Sequence, residues 1–185
     1  MSAAFPKNIE TFSDGESFII RRKWFTNAAF FYLFFSILWN GFMVVWMGLA
    51  IRDGVWLMAA FGSLHAGVGL YLIYFTTAKF LNVTDITITP EQLTTQHTPL
   101  PWIGLKEIPI HRITRLYTKE HVQSGEDGDT ITYRVMLLAD GKKEHKLITG
   151  LEEHAQAKFI KTAICGILGL EEVDLADIIE NPRSY

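Results

Sequence analysis

Six histidines, His65, His97, His111, His121, His145 and His154, and one cysteine, Cys165, are the side chains here best suited to ligate a metal, carry a proton or act as a nucleophile. Compact metal sites draw ligands from closely spaced positions, and the five histidines after residue 81 match no such set. One cysteine excludes an internal disulfide and the cysteine-based zinc ribbons. The sequence holds no GxSxG, HExxH, Walker-type glycine loop or paired-cysteine motif, so no step of covalent, metal-assisted or phosphoryl-transfer catalysis has its usual residues. The expectation is a chain with no catalytic residues, no metal and no cofactor, whose histidines are scattered surface imidazoles.

His65 stands apart, because it and Asn40 are the deepest polar groups of an otherwise apolar stretch. Burying either without a partner costs several kcal/mol, so each needs a hydrogen bond. They can pair with each other, or His65 with backbone near Ser63 or with another subunit. A sharper reading makes His65 a haem ligand in an electron-transfer accessory subunit. A lone histidine with no second ligand at compatible spacing is more often a packing group.

The elements that carry these residues follow from an uneven composition. Hydrophobic residues make up 49% of 185 and mean hydropathy is +0.16, yet residues 24 to 81 contain only Arg52, Asp53 and Lys79 as charges. The later half is net acidic, which argues against nucleic-acid binding. Ile51-Arg52-Asp53-Gly54 divides the apolar stretch into helices predicted over 25–51 and 55–80. About 20 residues cross a hydrocarbon core, so each can span it. So short a link makes them an antiparallel hairpin with both chain ends on one side.

Residues 1 to 23 are polar and the apolar run is too long for the core of a signal peptide. Arg21-Arg22-Lys23 before the first helix and Lys79 at the end of the second, against Arg52 in the turn, predict a multi-pass protein with both termini cytoplasmic. Trp24, Trp46 and Trp56 fall near predicted interfaces, whereas Trp39 lies deeper. Lipid surrounds such a hairpin, so small residues decide what else it meets. Ala59, Ser63 and Gly67 recur every four residues on the second helix, and Gly41 and Gly48 on the first can face that stripe or a membrane-protein partner, a second copy included.

The second half reads as strands and one helix. Val83–Thr89 and Leu93–Thr98 form a hairpin around Pro90-Glu91, Leu100-Pro101-Trp102-Ile103-Gly104 is a loop, and Glu107–Ile110 leads into Ile113–Val122. Ile131, Tyr133, Val135 and Leu137 alternate toward one face, Asp140-Gly141 turns the chain, and 142–149 returns. Phe159, Ile160, Ala163, Ile164, Ile167 and Leu168 then recur at helical spacing over 152–168. The acidic stretch 171–180 can add an amphipathic turn through Val173, Leu175, Ile178 and Ile179. Residues 9 to 23 fit either a strand added to the sheet or an interfacial segment.

The order of a helix hairpin, Leu81-Asn82-Val83-Thr84, Ile88-Thr89-Pro90-Glu91-Gln92-Leu93, and the run from Gly104 through Ile110-His111-Arg112-Ile113 resembles bacterial membrane proteins with two transmembrane helices followed by a pleckstrin-homology-like domain. Thr98-Pro99-Leu100-Pro101-Trp102 and Leu147-Ile148-Thr149-Gly150-Leu151 are similar to stretches of the same group. The resemblance implies a membrane α-helical hairpin plus an α+β domain, with a curved antiparallel sheet or partly open barrel capped by a C-terminal helix, in a bacterial inner membrane. It transfers no functional residue. The expected division is an N-terminal segment 1–23, the hairpin 24–81, the pleckstrin-like domain 82–170 and an acidic tail 171–185.

Lipid-headgroup binding, known of eukaryotic pleckstrin domains, needs converging basic residues. Here Arg112, Arg115, Lys119, Lys142, Lys143 and Lys146 are interspersed with Glu107, Glu120, Asp140 and Glu144. Trp102 is a core plug, a membrane-surface contact or a partner hot spot. The expected function is a membrane-anchored, non-enzymatic interaction or accessory subunit of a larger membrane complex. Asn40, Gly41, Gly48, Ser63, His65, Gly67 and Trp102 are its candidate contact residues.

Overall fold

The structure is a computed structural model that describes residues 6–104, 106–125, 128–141 and 143–172. It divides into two units, a helical one over Lys23–Val83 with Thr98–Pro101, and a sheet unit formed by the remainder.

In the helical unit, α1 (Ala28–Arg52) and α2 (Trp56–Leu81) pack as a hairpin. At 1.5 Å per residue each is nearly 40 Å long, more than the ~30 Å a hydrocarbon core requires. Both are long and apolar enough to cross a membrane, and only 17% of the residues in each apolar window are buried. A core helix of a water-soluble domain buries most of such a window; these leave Phe31, Phe34, Val44, Leu57, Leu64 and Leu70 outward.

The turn between them is chemically specified. Val55 N–H donates to the Ala50 carbonyl at 2.9 Å and Gly54 N–H to Ile51 at 3.2 Å, the paired bonds of a Schellman cap. Such a cap needs a left-handed residue, which Gly54 supplies at φ +66°. The buried positions of α1 are Ala29, Ser36, Met43 and Ala50, and those of α2 include Gly62, Gly69 and Thr76. Both sets recur every seven residues, the seam of a left-handed helix pair.

The sheet unit begins before the helices. Strands β1 (Ile9–Ser13) and β2 (Phe18–Lys23) pair antiparallel from Ile9–Arg22 to Ser13–Phe18. Asp14 Oδ1 holds their turn by accepting the Ser17 and Glu16 amides at 2.7 and 3.1 Å. Residues 9 to 23, open between two readings in the sequence, are thus sheet strands. With β3 (Val83–Ile88), β4 (Gln92–Thr98) and β5 (Lys106–Pro109) they make a five-stranded sheet in the order β1-β2-β3-β4-β5. Arg21 fixes β2 to β3 through a bidentate pair with Asp85, both contacts 2.7 Å.

A 3-10 turn at Ile110–Arg112 leads to a second antiparallel sheet of β6 (Ile113–Gly125), β7 (Gly128–Ala139) and β8 (Lys143–Leu151). Helix α3 (His154–Leu168) packs on these three strands. Gln156 is buried in its first turn: its Oε1 accepts the Glu152 and Glu153 amides at 3.1 and 3.3 Å, and its Nε2 donates to the Lys7 carbonyl at 2.8 Å. One core joins both sheets and α3, through Ile20, Ile86, Leu93, Leu116, Leu137 and Ile160 among others. The structure thus has two long apolar helices, two antiparallel sheets and a C-terminal helix. The amphipathic turn expected at Val173–Ile179 lies outside the described residues.

Candidate functional site

The polar residues singled out in the apolar helices meet backbone rather than each other. Asn40 Nδ2 donates to Ser36 O of its own helix at 2.8 Å and to Gly69 O of α2 at 3.1 Å. His65 Nδ1 lies 3.2 Å from Phe61 O, one turn back, and its ring lies against Phe61 and Trp39. The direct Asn40–His65 pair allowed by the sequence is therefore not made. Trp39, whose depth had no explanation from interfacial preference, donates Nε1–H to the His65 carbonyl at 3.2 Å. An apolar environment makes any unpaired donor costly, and these bonds satisfy the donors with carbonyls that already close helical turns.

Glycine allows this approach. A Cβ on Gly69 would sit 2.5 Å from Asn40 Oδ1, and one on Gly62 would sit 2.6 Å from Met47 Sδ. Gly41, Gly48 and Gly67 have open space where a Cβ would be and are exposed, as is Ser63, whose hydroxyl donates to Ala60 O at 2.6 Å. The close approach between helices is therefore made at Gly62 and Gly69, and the stripe Ala59-Ser63-Gly67 does not meet Gly41 or Gly48. Replacing Asn40 by leucine should cost about 1 kcal/mol of hairpin stability, the usual size of an interhelical hydrogen bond in lipid. Reversible unfolding in mixed detergent micelles measures this, and an unchanged stability would mean that the Gly69 contact contributes nothing.

A cleft of about 200 Å³ lies on the hairpin flank between Trp39, Met43, Trp46, Phe61 and His65. Pockets for drug-sized ligands and cofactors run from roughly 300 to 1,000 Å³, so this one is below that range.

In the sheet unit the histidines are dispersed, and among the described residues no three His, Cys, Asp or Glu side chains are close enough to hold a metal ion. His97 has the most structured surroundings. Its Nδ1 is 2.9 Å from Thr84 Oγ1, and a Cβ on Gly104 would fall 2.8 Å from its Nε2. Cations gather nearby: Arg22 donates to the Thr149 and Gly150 carbonyls, and Lys106 to the Lys146 carbonyl. Burial, then the Arg22 and Lys106 charges, holds the His97 imidazole below its ordinary pKa. Burial and Lys146 likewise lower Lys106, and burial lowers Arg22 against the opposing effect of Glu152. This cluster was missed in the sequence because its members come from β2, β3, β4, β5 and β8.

A base whose folded pKa is depressed contributes stability present above its unfolded pKa and lost as pH falls through it. The sheet unit should therefore weaken as pH drops below about 6.5, the unfolded imidazole value. His145 is lowered by burial and neighbouring cations too, so His97→Gln should shrink the slope rather than abolish it. Thermal melts between pH 7.5 and 5.5 test this, and equal slopes for parent and variant would refute it.

Trp102 is half-buried, and Ile103 beside it is 95% exposed. No protein-family model matches the sequence, and no curated protein is significantly similar to it.

Proposed function

We propose that this chain is a membrane-anchored, non-enzymatic interaction module, an accessory or assembly subunit of a larger membrane complex. Its α1–α2 hairpin crosses the bilayer and both termini lie in the cytoplasm. The observation that carries this reading is the hairpin surface: most of it is apolar and uncovered, while Trp39 and Asn40 are engaged in holding the two helices together. Lipid covers much of such a surface, and the exposed Gly41 and Gly48 on α1 and Ser63 and Gly67 on α2 offer close approach to a partner helix. Arg21, Arg22 and Lys23 before α1 and Lys79 at the end of α2, against Arg52 alone in the turn, favour the cytoplasmic side for both chain ends by the positive-inside bias. The two sheets and C-terminal helix agree with a pleckstrin-homology-like domain as the cytoplasmic part.

The test is native mass spectrometry of the full chain extracted from its own membrane in nanodiscs. A reproducible larger assembly is the expected result. Recovery only as a monomer or a homo-oligomer would overturn the accessory-subunit reading and turn attention to a ligand of the sheet unit. Absorbance of the same preparation checks the haem alternative for His65, which requires a Soret band.

A further inference from the structure

The segment Thr98–Ile103 leaves β4 after His97 and returns at Gly104, beside the same imidazole. Within the helical unit its backbone is bound to the last two turns of α2. Asn82 brackets Leu100, donating Nδ2–H to its carbonyl at 2.9 Å and accepting its amide on Oδ1 at 2.8 Å. Tyr74, seven residues before the helix end, donates its hydroxyl to the Pro101 carbonyl.

That end of α2 carries the residues that mark a membrane–water boundary. The Lys79 ammonium lies 5.8 Å from the Trp24 ring centroid and 5.3 Å from that of Phe75. Two residues of chain span at most about 7 Å, so Ile103 cannot be far from Pro101 and hence from this boundary. The sequence at that point is Pro-Trp-Ile, with Ile103 presenting nearly its whole side chain outward. An isoleucine this exposed at the tip of a loop buries nothing within the chain, and water is its least favourable surrounding.

We propose that Trp102 and Ile103 form an interfacial anchor that enters the headgroup layer of the bilayer that α1 and α2 cross. This rests on the membrane-spanning reading of the hairpin. The occupant follows from continuity, since the loop is hydrogen-bonded along the terminal turns of a spanning helix. A tryptophan followed by a fully offered aliphatic residue is the usual make-up of an interfacial contact.

The experiment uses the full chain in nanodiscs of phosphatidylcholine and phosphatidylglycerol, with an environment-sensitive nitrobenzoxadiazole label on Ile103→Cys. Cys165 is buried, so the unsubstituted chain serves as the labelling blank. Leu70→Cys on the outward face of α2 and Thr130→Cys on β7 are the references. Emission at position 103 should shift to the blue and be quenched most by a nitroxide near the lipid headgroup. Position 70 should be quenched most by a nitroxide deep in the acyl chains, and position 130 by neither. If position 70 is quenched deeply while 103 matches 130, the anchor is refuted and the spanning hairpin stands. If position 70 is unquenched, the hairpin reading fails and the anchor with it.

Discussion

Substituting Gly69 by leucine should separate α1 from α2 and lower hairpin stability by about 2–4 kcal/mol. Two terms produce that figure. Overfilling a packed contact costs roughly 1–3 kcal/mol, and a side chain here cannot avoid Asn40, since a first carbon alone would stand 2.5 Å from its Oδ1 and 3.2 Å from Trp39 Cδ1. Displacing Asn40 also breaks its bond to the Gly69 carbonyl, worth about another 1 kcal/mol in lipid. Gly67→Leu is the decisive control, because position 67 is exposed with open space around it and should change stability by less than about 0.5 kcal/mol. Unfolding of both variants in mixed micelles gives the comparison. Equal losses at 67 and 69 would mean that the seven-residue seam is not the helix contact.

The second large effect belongs to the sheet unit. Leu137 on β7 is 0% exposed and sits in the core shared by the two sheets and α3. Leu137→Ala should cost about 3 kcal/mol, the transfer of three carbons plus the cavity left among neighbours that relax only in part. Ile131→Ala on the same strand should cost under about 1 kcal/mol, as Ile131 is already half exposed. The full chain in detergent, followed by near-ultraviolet circular dichroism, reports both. A Leu137→Ala loss no larger than that of Ile131→Ala would remove β7 from the core.

These two strand positions also show how far alternation carries. Ile131, Tyr133, Val135 and Leu137 share one parity, yet Val135, Met136 and Leu137 are all buried and Ile131 is not. Tyr133 is the outermost residue of β7 paired with β8, so Ile131 lies where β8 does not reach, while Met136 is buried on the opposite face of β7 from Val135 and Leu137. The outer part of β7, paired with β6 up to Gly125–Gly128, also runs beyond the predicted strand ends.

Some features were determined by residue type alone. Long uncharged runs on either side of Arg52-Asp53-Gly54 dictate two helices and a tight reversal, since apolar length and a left-handed glycine are local properties. Predicted spans of 25–51 and 55–80 became 28–52 and 56–81. The Pro90-Glu91 and Asp140-Gly141 turns likewise join β3 to β4 and β7 to β8.

Tertiary structure alone decided which side chains meet. Gly62 and Gly69, not Ala59, Ser63 and Gly67, line the helix contact. A four-residue step drifts around an α-helix, whereas two helices wound about each other bring every seventh residue back to the seam. Asn40 reached Gly69 O instead of His65 because in a dry environment the nearest carbonyl across that seam satisfies it. Residues 9 to 23 joined the sheet because β3 offered an edge, and Arg21 found Asp85, sixty-four positions away, across it. Local chemistry specifies elements and turns; partners distant in sequence are specified only when packing leaves one arrangement that buries the apolar faces and gives buried donors such as Asn40 and Gln156 an acceptor.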